Sequence, residues 1–412
     1  MLQNELLNFI GENMAQSIIK PAEKTRDIKY AIRDIIVLAN EAAKSGKEML
    51  YLNIGDPNVY DHVTPPHIIQ AVHKAMEENR NGYAPSSGII QAVEAIERDA
   101  NRKGIDNVLD IFVTTGASEA IELSLTALMN KGENVLLPTP GYPLYTAVRA
   151  KLELINNPYY LDEKNGWQPD VDDIRSKVND KTRAIVLINP NNPTGSICDK
   201  KTLLEIIDIA LEHDLVIIAD EIYDKLIFDD NEYVSIASLN KDVSCITFSG
   251  LSKNYVTPGF RLGWGVVSGR AEIMADYIEA INKLLRARVS ANHPLQYAIP
   301  VALDGNQTHI EHMLEKLMRR RDITMDILDG IEGISVVEPQ GAFYAFPSID
   351  VKDDMHFCAQ LIKETGVVVV PGTGFGQKPG EQHFRIVILP NEKTLEKAFN
   401  RIAEFYDKYK NK

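Results

Sequence analysis

The 412-residue sequence is poor in cysteine and has fewer basic than acidic residues, 44 against 58. Its three cysteines, Cys198, Cys245 and Cys358, stand far apart and lack the CxxC spacing of redox or metal sites. This pattern is typical of buried thiols in a reducing compartment and argues against structural disulfides. A formal net charge of −14 disfavours nucleic acid or an anionic membrane as the main partner.

The sequence also lacks a long apolar run. None approaches the ~18 residues that a membrane span requires, and residues 1–20 mix Asn, Glu and Gln with apolar residues, unlike a signal peptide. We therefore predict a cytoplasmic protein that does not contact a membrane. Its 44% hydrophobic and 25% charged residues are typical of a globular protein, and no spacing indicates a metal site.

Short apolar runs alternate with amphipathic helical patterns through the middle of the chain. They lack polar alternation, which favours a mostly parallel sheet flanked by helices on both faces. We predict an α/β fold with a large domain over residues 66–290. This alternation of strands and helices is missing from residues 1–65 and 291–412. We predict that these two segments together form a smaller α+β domain. Ligands of parallel sheets bind at the carboxyl ends of the strands.

Lys253 follows one such run, in Ser249-Gly250-Leu251-Ser252-Lys253, and Arg261 comes eight residues later. Asp220 and Tyr223 follow another run, at residues 215–219. Pyridoxal 5'-phosphate (PLP) chemistry needs a lysine that forms a Schiff base and a carboxylate partner for the pyridinium nitrogen. The motifs therefore favour a PLP site. Taken singly, Asp220 could instead cap a helix, and Arg261 could be a surface residue in a turn.

A glycine turn in Thr115-Gly116-Ala117-Ser118 follows the apolar run 111–115. With Ser118 as the predicted N-cap, free backbone N–H groups at a helix start would suit a phosphate. Arg261 could add a charge-assisted anchor. An ordinary capped helix is the alternative.

Two proline-containing loops also follow apolar runs that are predicted to be strands. Residues 189–195 contain two X-Pro bonds and a glycine, which favours a rigid turn that projects asparagine amides and is compatible with a cis proline. In residues 139–143, Tyr142 could stack on a planar ring. Either segment could be only a loop. Arg385 stands within an apolar run, where an arginine needs an anionic partner such as a substrate carboxylate or a structural salt bridge.

Together these motifs resemble the class I/II aminotransferases, which are fold type I PLP-dependent enzymes. The resemblance extends from Asn53-Ile54-Gly55-Asp56-Pro57 to Arg385. It implies that Lys253 forms the Schiff base and that Asp220 and Tyr223 assist it. The further cofactor contacts that it implies are Gly116, Ala117, Ser118, Tyr142, Asn192, Ser252, Arg261 and Tyr83. It also implies that Gly55, Asn192 and Arg385 bind the substrate.

Tyr83 resembles the tyrosine that reaches the phosphate of a neighbouring subunit, which implies a homodimer with active sites at its interface. Within the family the sequence is most similar to alanine (glutamate–pyruvate) aminotransferases, through residues 30–33, 52–57, 250–253 and 339–344. This implies ping-pong transamination between alanine and 2-oxoglutarate. An aromatic or other donor, or a PLP-dependent C–S lyase reaction, is the alternative.

Two features depart from the family pattern. The serine that aspartate-type members place three residues before the lysine is Gly250, so that Ser249 or Ser252 must supply any hydroxyl to the phosphate. No arginine matches the one that binds a distal carboxylate, and Arg33, Arg286 and Arg288 remain candidates. The glycine-rich run 372–376 resembles a dinucleotide fingerprint, but no helical pattern follows it, which favours a turn.

Overall fold

The protein was studied as a computed structural model that describes residues 18–28 and 31–410, except for the side chains of residues 31–34. The α-helices of this part are α1 (Ala31–Ala43), α2 (Pro66–Glu77), α3 (Ile90–Arg102), α4 (Ala117–Leu128), α5 (Pro143–Lys151), α6 (Val171–Lys177), α7 (Lys200–Glu212), α8 (Ala271–Arg288), α9 (His293–Gln296), α10 (Ala298–Asp304), α11 (Thr308–Leu328), α12 (Asp354–Thr365) and α13 (Glu392–Lys410). None of the helices described is long and apolar enough to span a bilayer.

The strands fall into one large sheet and several small ones. They are β1 (Leu50–Tyr51), β2 (Val108–Thr114), β3 (Asn134–Thr139), β4 (Ile155–Asp162), β5 (Gln168–Pro169), β6 (Thr182–Ile188), β7 (Val216–Asp220), β8 (Cys245–Gly250), β9 (Gly263–Ser268), β10 (Ile334–Ser335), β11 (Tyr344–Ala345), β12 (Ser348–Ile349), β13 (Val367–Val368), β14 (Val370–Pro371) and β15 (Phe384–Val387).

The large sheet has the strand order β2-β9-β8-β7-β6-β3-β4-β5. Strands β4, β3, β6, β7 and β8 run parallel, whereas β9 is antiparallel to both of its neighbours. The prediction of a mostly parallel sheet flanked by helices is therefore confirmed. Register pairs Asp220 with Ile188 on one side and with Phe248 on the other, so that β6, β7 and β8 reach the same edge together.

Both faces of this sheet are buried because successive side chains of a strand point to opposite sides. In β6, Ile185 and Leu187 belong to one apolar core, and Ala184, Val186 and Ile188 belong to the other. Helices cover both faces, which explains why β6 has no alternating polar positions. The runs that the sequence shows as continuous apolar segments are thus the central strands.

A third core lies among the smaller sheets. Strand β1 pairs in parallel with β13, and β15 lies between β11 and β14 in antiparallel pairing. Helices α12 and α13 supply Phe357 and Phe399 to this core. Helix α11 contributes Leu317 to the large-sheet core and Leu328 to the smaller one. The division into domains at residues 66 and 291 stays a prediction.

Candidate active site

A cavity of about 310 Å³ lies at the carboxyl edge of β6, β7 and β8. Most of the residues that the sequence suggests for a site line it: Gly55, Ala117, Ser118, Tyr142, Asn192, Asp220, Tyr223, Ser252, Lys253, Arg261 and Arg385. Gly116 adjoins the wall directly before Ala117. Tyr83 does not line this cavity, and it is 87% exposed in the single chain.

Lys253 is the third residue after β8 and lines this cavity. Its Nζ donates a 2.7 Å hydrogen bond to the carbonyl oxygen of Gly55 and lies 5.6 Å from the centre of the Phe343 ring. Burial lowers the pKa of Lys253 to about 8, and the positive charges of Arg385 and Arg261 act in the same direction. A substantial neutral fraction near pH 8 makes this amine available as a nucleophile or a base.

Asp220 ends β7 and is almost fully buried. Its Oδ2 accepts a 3.0 Å hydrogen bond from Tyr145 Oη, and its Oδ1 accepts a 3.4 Å bond from the backbone N–H of Ile222. Burial raises the pKa of Asp220 to about 6, although these two donors oppose the increase. A cationic partner in the cavity would stabilise the charged form of this buried carboxylate.

Two tyrosine hydroxyls meet beside Lys253. The Oη atoms of Tyr223 and Tyr344 are 2.8 Å apart, and burial raises the pKa of Tyr223 well above its usual value. Tyr344 lies on β11, next to the strand that carries Arg385. A Cβ at Gly55 would lie 2.5 Å from Tyr344 Oη, so a larger residue at this position would displace the Tyr344 hydroxyl.

Arg385 is buried within β15 and lines the cavity. Its Nη2 donates to the carbonyl oxygen of Asn53 at 2.8 Å, and its Nη1 donates to Asn192 Oδ1 at 3.2 Å. The rings of Tyr344 and Phe375 each lie 4.7 Å from its Cζ. The guanidinium is thereby held in one orientation, which is a requirement for recognising a planar carboxylate.

The start of α4 forms a cradle for an anion. Gly116 turns the chain with φ +78°, and a Cβ there would lie 2.6 Å from Arg261 Nη2. The guanidinium of Arg261 therefore lies against the turn, and its Nη1 donates to the carbonyl oxygen of Pro258 at 3.1 Å. The first N–H groups of a helix have no intrahelical acceptor, so this N-terminus with its arginine fits a phosphate group.

The predicted N-cap role of Ser118 is wrong. Helix α4 begins at Ala117, which makes Gly116 the N-cap and Ser118 the second helical residue. The physical reason is the left-handed turn at Gly116, which a serine would adopt only at a cost. Ser118 still lines the cavity with its neighbour Ala117.

The structure distinguishes between some of the open candidates. Ser252 lines the cavity, whereas Ser249 is buried within β8 and does not. Arg286 is exposed and pairs with Glu279 at 2.7 Å, and Arg288 pairs with Glu119 at 2.9 Å. Neither arginine lines the cavity of its own chain. The side chain of Arg33 lies outside the described residues.

Both proline loops adopt defined turns, and the bonds Thr139–Pro140 and Asn189–Pro190 are cis. Residues 372–375 form a 3-10 turn before β15, so the glycine-rich run opens no α-helix, as predicted. No sequence motif indicated Tyr145 as the partner of Asp220. Tyr344 ends the family motif at residues 339–344, but nothing in that motif indicated its contact with Tyr223.

Comparison with known proteins identifies the family. The model of aminotransferase class I and II matches residues 47–402. The chain belongs to this family. It is accordingly an enzyme of the transferase class, and its fold is that of the fold type I aminotransferases.

Relatives of this aminotransferase align over almost its whole length. The glutamate-pyruvate aminotransferase of Escherichia coli is 39% identical over 403 residues, covering 95% of this chain and 99% of that protein. The alanine aminotransferase of Mycobacterium tuberculosis is 37% identical over 97% of this chain and 95% of that protein. The solved structure of the Pyrococcus furiosus alanine aminotransferase superposes with a TM-score of 0.92 at 39% identity, covering 94% of this chain and 100% of that one.

Proposed function

We propose that this aminotransferase uses PLP to exchange an amino group between alanine and 2-oxoglutarate, so that it also interconverts glutamate and pyruvate. The observation that carries the choice of substrate is the near full-length identity of 37–39% to relatives with the names glutamate-pyruvate and alanine aminotransferase. The choice of cofactor is supported by the meeting of a lysine amine, a buried carboxylate and an anion cradle in one cavity.

When bound, PLP supplies an electrophilic carbon and a ring that accepts an electron pair. Lys253 would hold the cofactor through Nζ. When this amine is free, Nζ would act as a base that accepts the proton from the donor's Cα, and the resulting ammonium would hold that proton until it returns it. Its pKa of about 8 suits both the removal and the return of a proton near neutral pH.

Asp220 would pair with the pyridinium nitrogen and keep it protonated, and this cation would stabilise the buried carboxylate. Tyr223 and Asn192 would donate hydrogen bonds to the ring's phenolic oxygen. Tyr142 would contact the ring. Gly116, Ala117 and Ser118 would hold the phosphate, together with Ser252 and Arg261.

Arg385 binds the α-carboxylate of each substrate through two parallel N–H donors. The carbonyl oxygen of Asn53 and the amide oxygen of Asn192 orient its guanidinium, and Gly55 leaves room for the substrate beside Tyr344. The two half-reactions share this one site, which is why we expect a ping-pong mechanism in which the first product leaves before the second substrate binds.

We further infer a cytoplasmic homodimer with the two-domain division given above. The 87% exposure of Tyr83 supports a role for its hydroxyl at the phosphate of the partner subunit. Mixing inactive Lys253→Ala protein with Tyr83→Ala protein tests this arrangement. Subunit exchange then creates one site with both residues intact, so activity should reappear. If the mixture after exchange is no more active than its components, the shared site is wrong.

A substrate screen tests the reaction itself. Purified protein is incubated with single amino acids and either pyruvate or 2-oxoglutarate, and both products are quantified. We expect alanine with 2-oxoglutarate to react fastest. Double-reciprocal plots of the initial rate, each at a fixed concentration of the second substrate, should give parallel lines. An inert alanine with an active aromatic donor would contradict the substrate but not the class. Release of pyruvate and ammonia without an acceptor would instead indicate the lyase alternative.

A further inference from the structure

Glu119 and Arg288 form an ion pair directly behind the anion cradle. Glu119 is the third residue of α4, and its Oε2 accepts a 2.7 Å hydrogen bond from the backbone N–H of Thr115. The same oxygen accepts a 2.9 Å bond from Nη1 of Arg288, at the end of α8. The carboxylate therefore closes the turn around Gly116, in the manner of an N-terminal helix cap.

Arg288 also binds the two segments on the other side of this turn. Its Nη2 donates to the carbonyl oxygen of Ser86 at 2.9 Å and to that of Val113 at 3.0 Å. Ser86 belongs to the loop that carries Tyr83, and Val113 is the second-last residue of β2, just before the cradle. One guanidinium thus joins the strand end, the cradle turn and the Tyr83 loop. The side chains of Arg288 and Glu119 are only 13% and 23% exposed, so water screens the pair weakly.

The position of Glu119 raises an electrostatic problem that Arg288 resolves. A carboxylate in the first turn of a helix interacts favourably with the helix dipole. In this protein, however, the same N-terminus is proposed to hold a phosphate, and two anions at one helix start repel each other. The guanidinium of Arg288 neutralises Glu119, whose Oε2 also accepts the N–H of Thr115.

We propose that Arg288 is a positioning residue for the cofactor's phosphate, and that it acts through Glu119 rather than by touching the phosphate or a substrate. The proposal rests on the proposed function, because it presupposes that the start of α4 binds the phosphate. It also gives Arg288 a role other than binding a distal carboxylate, since both of its Nη atoms are engaged by Glu119 and by two carbonyl oxygens.

The test compares two cofactor forms that differ only in the phosphate. Apoprotein is titrated with PLP and with pyridoxal, and absorbance gives both dissociation constants. Arg288→Met should weaken PLP by about tenfold, the size of one lost charged contact, and pyridoxal by less than about twofold. Glu119→Gln should leave PLP affinity unchanged or tighter. The double variant should return PLP affinity to within about threefold of wild type, because the unpaired carboxylate is gone.

Arg270→Met is the matched control, since Arg270 precedes the same helix, pairs with Glu272 and is half exposed. It should change neither affinity. Equal weakening of PLP and pyridoxal by Arg288→Met, or a double variant as weak as the single one, would overturn the proposal. If Arg288→Met does not fold, Glu119→Gln decides alone, and a tenfold loss of PLP affinity in it contradicts the role. A wild-type apoprotein with no preference for PLP over pyridoxal would contradict the proposed function instead.

Discussion

The phenol of Tyr145 donates a 3.0 Å hydrogen bond to the carboxylate of Asp220, and both residues are buried beneath the cavity. Tyr145 lies on α5, three residues after Tyr142, whereas Asp220 ends β7. The bond links helix α5 to the end of strand β7 at the base of the site. It favours the charged form of Asp220 in surroundings that otherwise favour the neutral form.

Asp220 should make the stability of the apoprotein depend on pH. Its pKa is about 6 in the folded chain and 3.8 in its ordinary state, so the folded protein binds this proton more tightly. The stabilisation is complete below pH 3.8 and is lost as pH rises through 6. Relative to Asp220→Asn, wild type should therefore lose on the order of 2 kcal/mol between pH 4 and pH 7. Chemical denaturation of both proteins across this range measures the difference, and a difference independent of pH would contradict the shift.

Replacement of Tyr145 by phenylalanine should move the pH range of this stability change to higher pH. The variant removes a hydrogen bond to a charged group, and we expect the pKa of Asp220 to increase by about one unit. The same denaturation series, measured against the Tyr145→Phe/Asp220→Asn double variant, locates the midpoint. Tyr159→Phe is the control, because Tyr159 is equally buried but donates to the carbonyl oxygen of Val186. It should leave the midpoint in place.

Lys253→Ala should reduce turnover by at least about a thousandfold, the size of a lost general base. It should also remove the visible absorption that a lysine-bound cofactor gives. Steady-state rates and absorbance spectra measure both effects. Lys241→Ala, at an exposed lysine, should behave as wild type. Transamination by Lys253→Ala at the wild-type rate would refute its assignment.

Gly116→Ala should weaken binding of the phosphate specifically. The new Cβ would lie 2.6 Å from Arg261 Nη2 and displace the guanidinium, in addition to straining the backbone at φ +78°. Gly132→Ala separates the two effects, since Gly132 has φ +83° with no atom within 4 Å. Both variants should lose about 1 kcal/mol of stability, and only Gly116→Ala should also weaken PLP by about tenfold. Thermal unfolding and cofactor titration measure the two quantities.

Arg385→Lys should raise the KM of both substrates together, by about a hundredfold, because lysine cannot make the two parallel bonds to a carboxylate. Steady-state kinetics with alanine and with 2-oxoglutarate measure this. Arg319→Lys, at an exposed arginine on α11, should leave both KM values unchanged. An increase for one substrate alone would show that Arg385 binds a group that the substrates do not share.

Local chemistry explains how far prediction from the sequence succeeded. Apolar runs without polar alternation indicated buried parallel strands, and ligands of such sheets bind where the strands end, so Lys253, Asp220 and Asn192 could be placed in one site. Ser118 is not the N-cap that its residue type suggests, because the start of the helix depends on the backbone angles at Gly116, which residue types only constrain.

The sequence by itself determined the residue types that carry the chemistry, the order along the chain of the strands that present them and the family to which they belong. These properties follow from side-chain chemistry and from short-range periodicity. The tertiary structure alone decided the partners: Tyr145 for Asp220, Tyr344 for Tyr223 and Glu119 for Arg288. Such pairs join residues 75 to 169 positions apart, and only the packing of helices on the sheet brings them within hydrogen-bonding distance.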